Sequence, residues 1–462
     1  MLGQEVLQKF VSILSPERCR TSKEDLLTYG YDATIHEYLP DAVLFPKTTG
    51  EVSDIMKVAW ANNVFVTPRG GGSGLCAGAL AKQGGIVICF TMMNRIIETN
   101  TANRYAVVEP GVVIVDLQKA ADSVGLFYPP DPGSAAVACM GGAVAMNAGG
   151  MRCVKYGVTR DYLLGLEIVL PTGEVMVTGS VTAKDVTGYD LTRLICGSEG
   201  TLALVTRITV RLIPKPQTKR TLLAVYNSID DAGTTVSRII ASGFVPAALE
   251  LMDKTIIKAV EAFAHLGFPL DAEAILLMDA DGDLEVVEKQ AGLLADICKS
   301  QGAREVRVSS SESENEQLWV ARRSQFGAIA RLRPTCVPED VTVPVSDLTS
   351  TIKQVLEICE RNRVQVAVVA HAGDGNLHPQ ILCDQRDKDE MARVEKAVDE
   401  IVDYALSVGG TLSGEHGIGI TKSKYLPKQL SETSLKMMRA IKKTFDPRGI
   451  LNPGSFLEHH AS

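Results

Sequence analysis

Pro68-Arg69-Gly70-Gly71-Gly72-Ser73-Gly74 is the stretch on which the reading of this chain turns. The residues before it, Val64-Phe65-Val66-Thr67, are β-branched and aromatic, so the loop leaves the end of a strand. Four glycines in the five positions 70–74 supply positive φ angles and let backbone approach a ligand with no Cβ in the way. Successive N–H groups in such a turn form a nest that suits a phosphate or diphosphate. Two other glycine loops are excluded by the residues downstream. A Walker loop ends in Gly-Lys-Ser/Thr, and the next lysine here is Lys82. Gly72-Ser73-Gly74-Leu75-Cys76-Ala77 fits G-x-G-x-x-A. The acidic residue expected roughly 20 positions on is missing, however, because Val87-Ile88-Cys89-Phe90 runs into Thr91-Met92-Met93. The loop reads as a diphosphate cradle, with a plain surface turn as the competing reading.

Around that loop the chain has 462 residues, enough at about 100–200 per domain for two or three domains. Charged residues make up 22% and hydrophobic ones 45%, ordinary for a globular protein. A formal charge of −8, with no basic stripe and only 5% aromatics, argues against nucleic acid as a partner. The ten cysteines are scattered with no C-x-x-C pair, which builds neither a zinc ribbon nor an iron–sulfur site. They read as buried thiols of a reducing compartment. Met1-Leu2-Gly3-Gln4-Glu5 lacks an export signal. The glycine-rich run 133–151 is too short for the ~20 apolar residues of a membrane span. The expectation is a cytoplasmic protein with no membrane span.

Periodicity and punctuation divide the chain. A helix over 4–13, a second helix start at Ser15-Pro16-Glu17, a strand at Ala42–Pro46 and a helix over 49–62 lead into the cradle strand, a β-α-β start. Short strands follow at 85–90, 105–108, 166–170, 174–178 and 202–211, with a turn at Pro171-Thr172-Gly173. Ile213-Pro214-Lys215-Pro216 is the best linker. Beyond it strands alternate with helices at 284–300, 348–361 and 387–408, as in a ferredoxin-like α/β sheet covered by helices. The expected domains are therefore 1–215, 216–440 and a C-terminal segment 441–462, an α+β fold.

Several glycine- and proline-rich stretches of the first half do not look like linkers. They are Glu109-Pro110-Gly111, Tyr128-Pro129-Pro130-Asp131-Pro132-Gly133-Ser134, Gly141-Gly142 with Asn147-Ala148-Gly149-Gly150, and Gly197-Ser198-Glu199-Gly200-Thr201. Small side chains let backbone lie against a flat ligand; close helix packing is the rival explanation for 133–150. In the second half, a strand delivers His371 of His371-Ala372-Gly373-Asp374-Gly375-Asn376-Leu377-His378, and the glycine turn returns His378. Glu415 of Ser413-Gly414-Glu415-His416-Gly417 completes a His₂Glu set. Such a set with open positions suits a catalytic metal: zinc, manganese or iron.

The 69–74, 129–133 and 197–201 motifs resemble, in order and spacing, the FAD domain of the vanillyl-alcohol-oxidase/p-cresol-methylhydroxylase superfamily. Over nearly its whole length the chain is similar to the branch of glycolate oxidase D-subunits and D-lactate dehydrogenases. The resemblance implies a two-part FAD domain and a ferredoxin-like substrate or cap domain. It places the FAD diphosphate on Pro68, Arg69, Gly70, Gly71, Gly72, Ser73 and Gly74. The ring would lie near Pro132, Gly133, Ser134, Gly141, Gly142, Asn147, Gly149, Gly150, Glu199, Gly200 and Val205. Asn452-Pro453-Gly454 matches a tail returning to the flavin domain, adding Asn452. Ser73 stands nearest the position where some relatives carry a flavin-linking histidine, so the FAD is expected to be non-covalent.

The resemblance also sets a divalent ion on His371, His378 and Glu415 facing the flavin, with His416 as base and Arg322 gripping a carboxylate. Phe326 and Pro338 occupy the stretch where relatives acting on larger diacids carry polar groups, which favours D-lactate or glycolate. Gln380 stands where some relatives have asparagine, and Lys422 with Lys424 reads as a solvated face. Electrons would pass to iron–sulfur or electron-transfer-flavoprotein subunits or to quinone. Two alternatives stay open: a non-catalytic flavoprotein relay, and a transferase of the alkylglycerone-phosphate-synthase kind.

Overall fold

The structure is a computed structural model that describes residues 2–457. Its contacts divide into two units. The first takes residues up to 148, 158–215 and those from 415 onward; the second takes 149–157 and 216–414. The second unit thus stops at Gly414, where the sequence pattern had suggested 440, and it gains 149–157. Residues 458–462 of the expected C-terminal segment lie outside the described residues.

In the first unit, α1 (Gln4–Leu14) buries Phe10 and Leu14. The expected second helix is shorter than its start signal implied. Pro16–Arg18 is a single 3₁₀ turn, and Ser15 sits at φ +89° with no side-chain cap. β1 (Ala42–Leu44), α2 (Thr49–Asn62), β2 (Val66–Arg69) and β3 (Ile86–Cys89) form the β-α-β start, β1 and β2 both running parallel to β3. Thr48 caps α2 by accepting the Glu51 amide, and Asn63 ends it at φ +52°. The buried face of α2 is Val52, Ile55, Met56 and Ala59. The glycine loop leaves the carboxyl end of β2, where open α/β sheets bind ligands.

Next come β4 (Ile96–Asn100), β5 (Tyr105–Val108), α3 (Ile114–Asp122), α4 (Met140–Met146), β6 (Leu163–Val169), β7 (Val175–Gly179) and β8 (Leu204–Arg211). The strands form an antiparallel sheet in the order β4-β5-β8-β6-β7. α3 and α4 were not foreseen. α4 lies inside the glycine-rich run, and it packs so closely that a Cβ on Gly141 would come 2.6 Å from the Pro110 Cβ. The tail returns beside β2: the Val66 amide donates to the Ile450 carbonyl and its own carbonyl accepts from Asn452.

The second unit is built on one antiparallel sheet. Its elements are β9 (Thr218–Tyr226), α5 (Ile229–Ala241), β10 (Ala248–Asp253), α6 (Lys254–Ala264), β11 (Ala274–Gly282), α7 (Leu284–Ser300), β12 (Glu305–Val308) and α8 (Glu312–Ile329). They continue with β13 (Thr335–Pro338), β14 (Val341–Thr342), α9 (Leu348–Arg361), β15 (Gln365–His371), β16 (Asn376–Cys383) and α10 (Lys388–Ser407). Strand order is β12-β9-β11-β10-β15-β16-β13, with β14 also on β16. The first four strands, with α5 and α7 as crossings, make the ferredoxin-like arrangement, and the others prolong it.

Side chains alternate across this sheet with period two. Leu222, Ala224, Leu249, Leu251, Leu276 and Met278 face α5, α7, α9 and α10. Leu223, Val225, Ala248, Met252, Ile275 and Leu277 face α6 and α8. The second face also carries the polar side chains of the site.

Candidate active site

β15 and β16 are a hairpin in which His371 pairs with Asn376 and Val369 with His378. The two histidines are therefore diagonal neighbours on one face, and their rings meet edge to face with centroids 4.9 Å apart. Gly375 sits in the turn at φ +75°, and a Cβ there would lie 2.1 Å from the Val343 carbonyl oxygen. Asp340 tethers the next segment, its Oδ2 accepting the Ser413 hydroxyl at 2.5 Å and the Gly414 amide at 3.0 Å. Gly414 packs closely on the hairpin. A Cβ would fall 1.8 Å from the Asn376 side-chain nitrogen. One peptide bond on, Glu415 joins the histidines: one ligand atom from each of His371, His378 and Glu415 lies within 4.8 Å of the others.

Two acidic residues that sequence reasoning passed over organise this group. Glu250 on β10 is fully buried; its Oε1 is 2.7 Å from His371 Nδ1 and its Oε2 accepts Arg322 Nε at 2.6 Å. Burial pushes the Glu250 carboxyl up, but His371 and Arg322 outweigh it and hold it below the usual range. The tautomer in which Nδ1–H donates to Glu250 is the one that turns the Nε2 lone pair of His371 into a metal-ligand atom. Asp340 Oδ1 stands 3.9 Å from His378 Nδ1. The signal for Glu250 was an acid set among apolar neighbours, Leu249-Glu250-Leu251; Asp340, next to Glu339, carried none.

Arg322 comes from α8, whose buried row includes Trp319, Arg322 and Gln325. Trp319 Nε1 donates to Asp279 Oδ1 at 2.8 Å, as Arg322 does to Glu250. Arg323 points the other way and pairs with Glu316 at the surface. Phe326, read as filling the substrate stretch, is 44% exposed. Pro338 pairs with Gln380, whose Oε1 accepts the Cys336 thiol. Lys422 is buried at 5% exposure, against the solvated face expected of it, while Lys424 is exposed.

In the first unit the cradle glycines serve their own fold as well as any ligand. A Cβ on Gly71 would meet the Val137 oxygen at 2.4 Å, and one on Gly72, at φ +70°, would strike the Arg69 guanidinium. Gly71 is exposed on its other side, and Gly70 to Gly72 line a cleft of about 400 Å³ with Tyr29, Asp32 and Arg69. Arg69 Nη1 is buried there with no hydrogen-bond partner among the described residues. A cationic donor lacking an acceptor beside a glycine turn fits a diphosphate.

Among the remaining flavin-site candidates, Pro132, Gly133 and Ser134 lie on a partly open loop, Gly142 has open space around its α-carbon, and Val205 is buried on β8. Gly149 and Gly150 fall in the second unit. Asn147 ends α4 at φ +52° and its Oδ1 accepts the Arg160 amide. Gly200, at φ +67°, packs on Pro68. Glu199 Oε1 and Oε2 accept the Ile418 and Gly419 amides, and the Asn452 amide nitrogen donates to Gly78 O and Glu199 O. Thus the Asn147, Glu199 and Asn452 side chains hold backbone in place. His416 succeeds Glu415, with Nε2 3.9 Å from Glu415 Oε1.

Residues 40–179 match the FAD binding domain family, and residues 215–456 match the family described as FAD linked oxidases, C-terminal domain. The chain belongs to the FAD-linked oxidases. It is similar to the glycolate oxidase subunit GlcD of Bacillus subtilis (strain 168), 45% identical over 462 residues that span 100% of this chain and 98% of that one. It is similar also to the D-lactate dehydrogenase of Anaerostipes hadrus, 34% identical over 465 residues, 97% of this chain and 96% of the other. A crystal structure of p-cresol methylhydroxylase with substrate bound shares the fold at TM-score 0.81 and 17% identity, covering 98% of this chain and 96% of that one. Like those relatives, this FAD-linked oxidase is an oxidoreductase of α+β architecture. No helix among its described residues is long and apolar enough to cross a membrane.

Proposed function

We propose that the chain oxidises a small 2-hydroxy acid, D-lactate or glycolate, to the 2-oxo acid with the help of non-covalent FAD and a divalent ion. The observation that carries this reading is the convergence of His371, His378 and Glu415 within 4.8 Å, with Glu250 bonded to both His371 and Arg322. The names of the relatives, which speak of glycolate oxidase and D-lactate dehydrogenase, support the substrate class. When bound, zinc, manganese or iron would supply a Lewis acid for the substrate hydroxyl, and FAD a two-electron hydride acceptor.

The protein's own residues divide the remaining work. Arg322, oriented through Nε by Glu250, holds its outer guanidinium nitrogens ready for the substrate carboxylate. Glu250 keeps His371 in one tautomer, so the donor set is ready before substrate arrives. His416 takes the hydroxyl proton at Nε2, while the C2 hydrogen leaves with its electron pair. Arg69 and the amides of the 70–74 loop hold the diphosphate. With no C-x-x-C pair in the chain, the electrons pass outward, to an iron–sulfur or electron-transfer-flavoprotein partner or to quinone.

The test is an anaerobic panel of 2-hydroxy acids watched for flavin bleaching, before and after chelation. Bleaching by D-lactate or glycolate should vanish on chelation while FAD stays bound, and return with added metal. Bleaching that survives chelation would remove the metal from the mechanism, and no bleaching by any acid would remove the activity. His416→Ala should slow bleaching by about 10²–10⁴-fold with FAD retained; an unchanged rate would favour the relay reading.

A further inference from the structure

Glu199 occupies a backbone conformation that favours glycine, φ +54°, between Gly197 at +80° and Gly200 at +67°. A non-glycine residue there costs on the order of 1 kcal/mol, so its side chain needs a compensating role. All four of its polar groups are used. Its amide donates to Ala145 O at 2.8 Å, and its carbonyl accepts Asn452 Nδ2 at 2.8 Å. Its carboxylate takes two successive amides of the loop after His416: Ile418 to Oε1 at 2.8 Å and Gly419 to Oε2 at 2.7 Å.

That loop is held from a second side. Ile420 donates its amide to Cys76 O at 2.9 Å, two residues beyond the diphosphate cradle. A Cβ on Gly419, at φ +48°, would lie 2.1 Å from the same oxygen. Gly417, at φ +86°, leaves a Cβ position 2.2 Å from Met146 Cε and 3.1 Å from Glu199 Oε1. Loop and turn are therefore pressed together at glycine separation. Burial pushes the Glu199 carboxyl up to about 7, and the two amides pull the other way by favouring the ionised form that accepts them both. Space-filling alone would not call for a carboxylate.

We propose that Glu199 is a positioning residue: by clamping the Ile418 and Gly419 amides it fixes the segment from Glu415 to Gly419, and through it the place of the proton acceptor His416. The link to turnover rests on the proposed 2-hydroxy-acid oxidation; the clamp itself does not. Glu199→Gln has the same shape but turns an NH₂ toward a backbone donor, while Glu199→Asp keeps the charge and falls one methylene short. Both should speed hydrogen exchange in peptides spanning 415–421. In both, flavin reduction at saturating 2-hydroxy acid should slow by about 100-fold, the scale of a displaced reacting group. KM and FAD stoichiometry should stay near those of the unaltered protein. A residue that only fills space would make the Gln variant indistinguishable from the parent, and wild-type exchange and rate in Gln and Asp would overturn the proposal. If Gln loses FAD, the Asp variant decides alone. If no 2-hydroxy acid bleaches even the parent flavin, the activity reading has failed, and exchange across 415–421 still judges the clamp.

Discussion

At the scale of single residues, Glu250 carries the heaviest consequence. It neutralises a buried arginine and orients a buried histidine with one carboxylate. Removing one partner of such a pair leaves an uncompensated charge, worth about 3–5 kcal/mol. Glu250→Ala should therefore lower stability by that amount in denaturant titration and reduce metal affinity about 10–100-fold, measured by metal content after dialysis. Glu250→Gln should recover little of either, because it can accept one hydrogen bond but no longer balances the buried Arg322. Arg322→Lys should raise KM for the acid, since a lysine offers a point charge where the site is shaped for a planar fork.

At the scale of elements, Asp253 ties a helix to a strand. Its Oδ1 caps α6 by accepting the Ile256 amide, and its Oδ2 accepts the Val368 amide of β15, beside the hairpin that carries the histidines. Burial pushes its carboxyl from 3.8 up to about 7. The native state therefore holds this proton at pH values where the unfolded chain has released it. Its contribution to stability is full below pH 3.8 and is lost as pH rises through about 7, on the order of 4 kcal/mol in total. Asp253→Asn lacks that proton exchange, so its melting temperature relative to the parent should improve between pH 5 and pH 8. A difference that stays flat with pH would show that Asp253 is ionised throughout. The same scale explains why α8 escaped a sequence reading. Its buried row includes Trp319, Arg322, Gln325 and Asn315, so polar residues sit where periodicity looks for apolar ones.

At the scale of the whole molecule, one amide joins segments far apart in the chain. Asn452 donates to Gly78 O, 374 positions away, and to Glu199 O, 253 positions away. The tail carrying it lies beside β2, the strand that ends in the cradle. Asn452→Ala leaves two carbonyls without that donor, a loss of about 1–3 kcal/mol. FAD should dissociate more readily from this variant, read as a lower flavin-to-protein ratio after gel filtration. An unchanged ratio would mean that the tail closes the fold without bracing the cradle.

What the sequence determined by itself was the local chemistry. The Arg69–Gly74 turn and the His371–His378 hairpin were legible because a few adjacent residues dictate them: glycines permit the left-handed turns, and alternation along a strand sets the histidine face. The ferredoxin-like half was legible for the same reason, through apolar strands and amphipathic helices such as α5 and α9. Only the tertiary structure decided which long-range partner each polar side chain would take. It chose Arg322 over Arg323 for the buried face, turned Phe326 outward, buried Lys422, and spent the Glu199 and Asn452 side chains on backbone from distant segments. Those outcomes depend on how α8 is seated over its sheet and how the tail returns to the first unit. Both arise from packing between segments 40 to 374 residues apart, which no local pattern encodes.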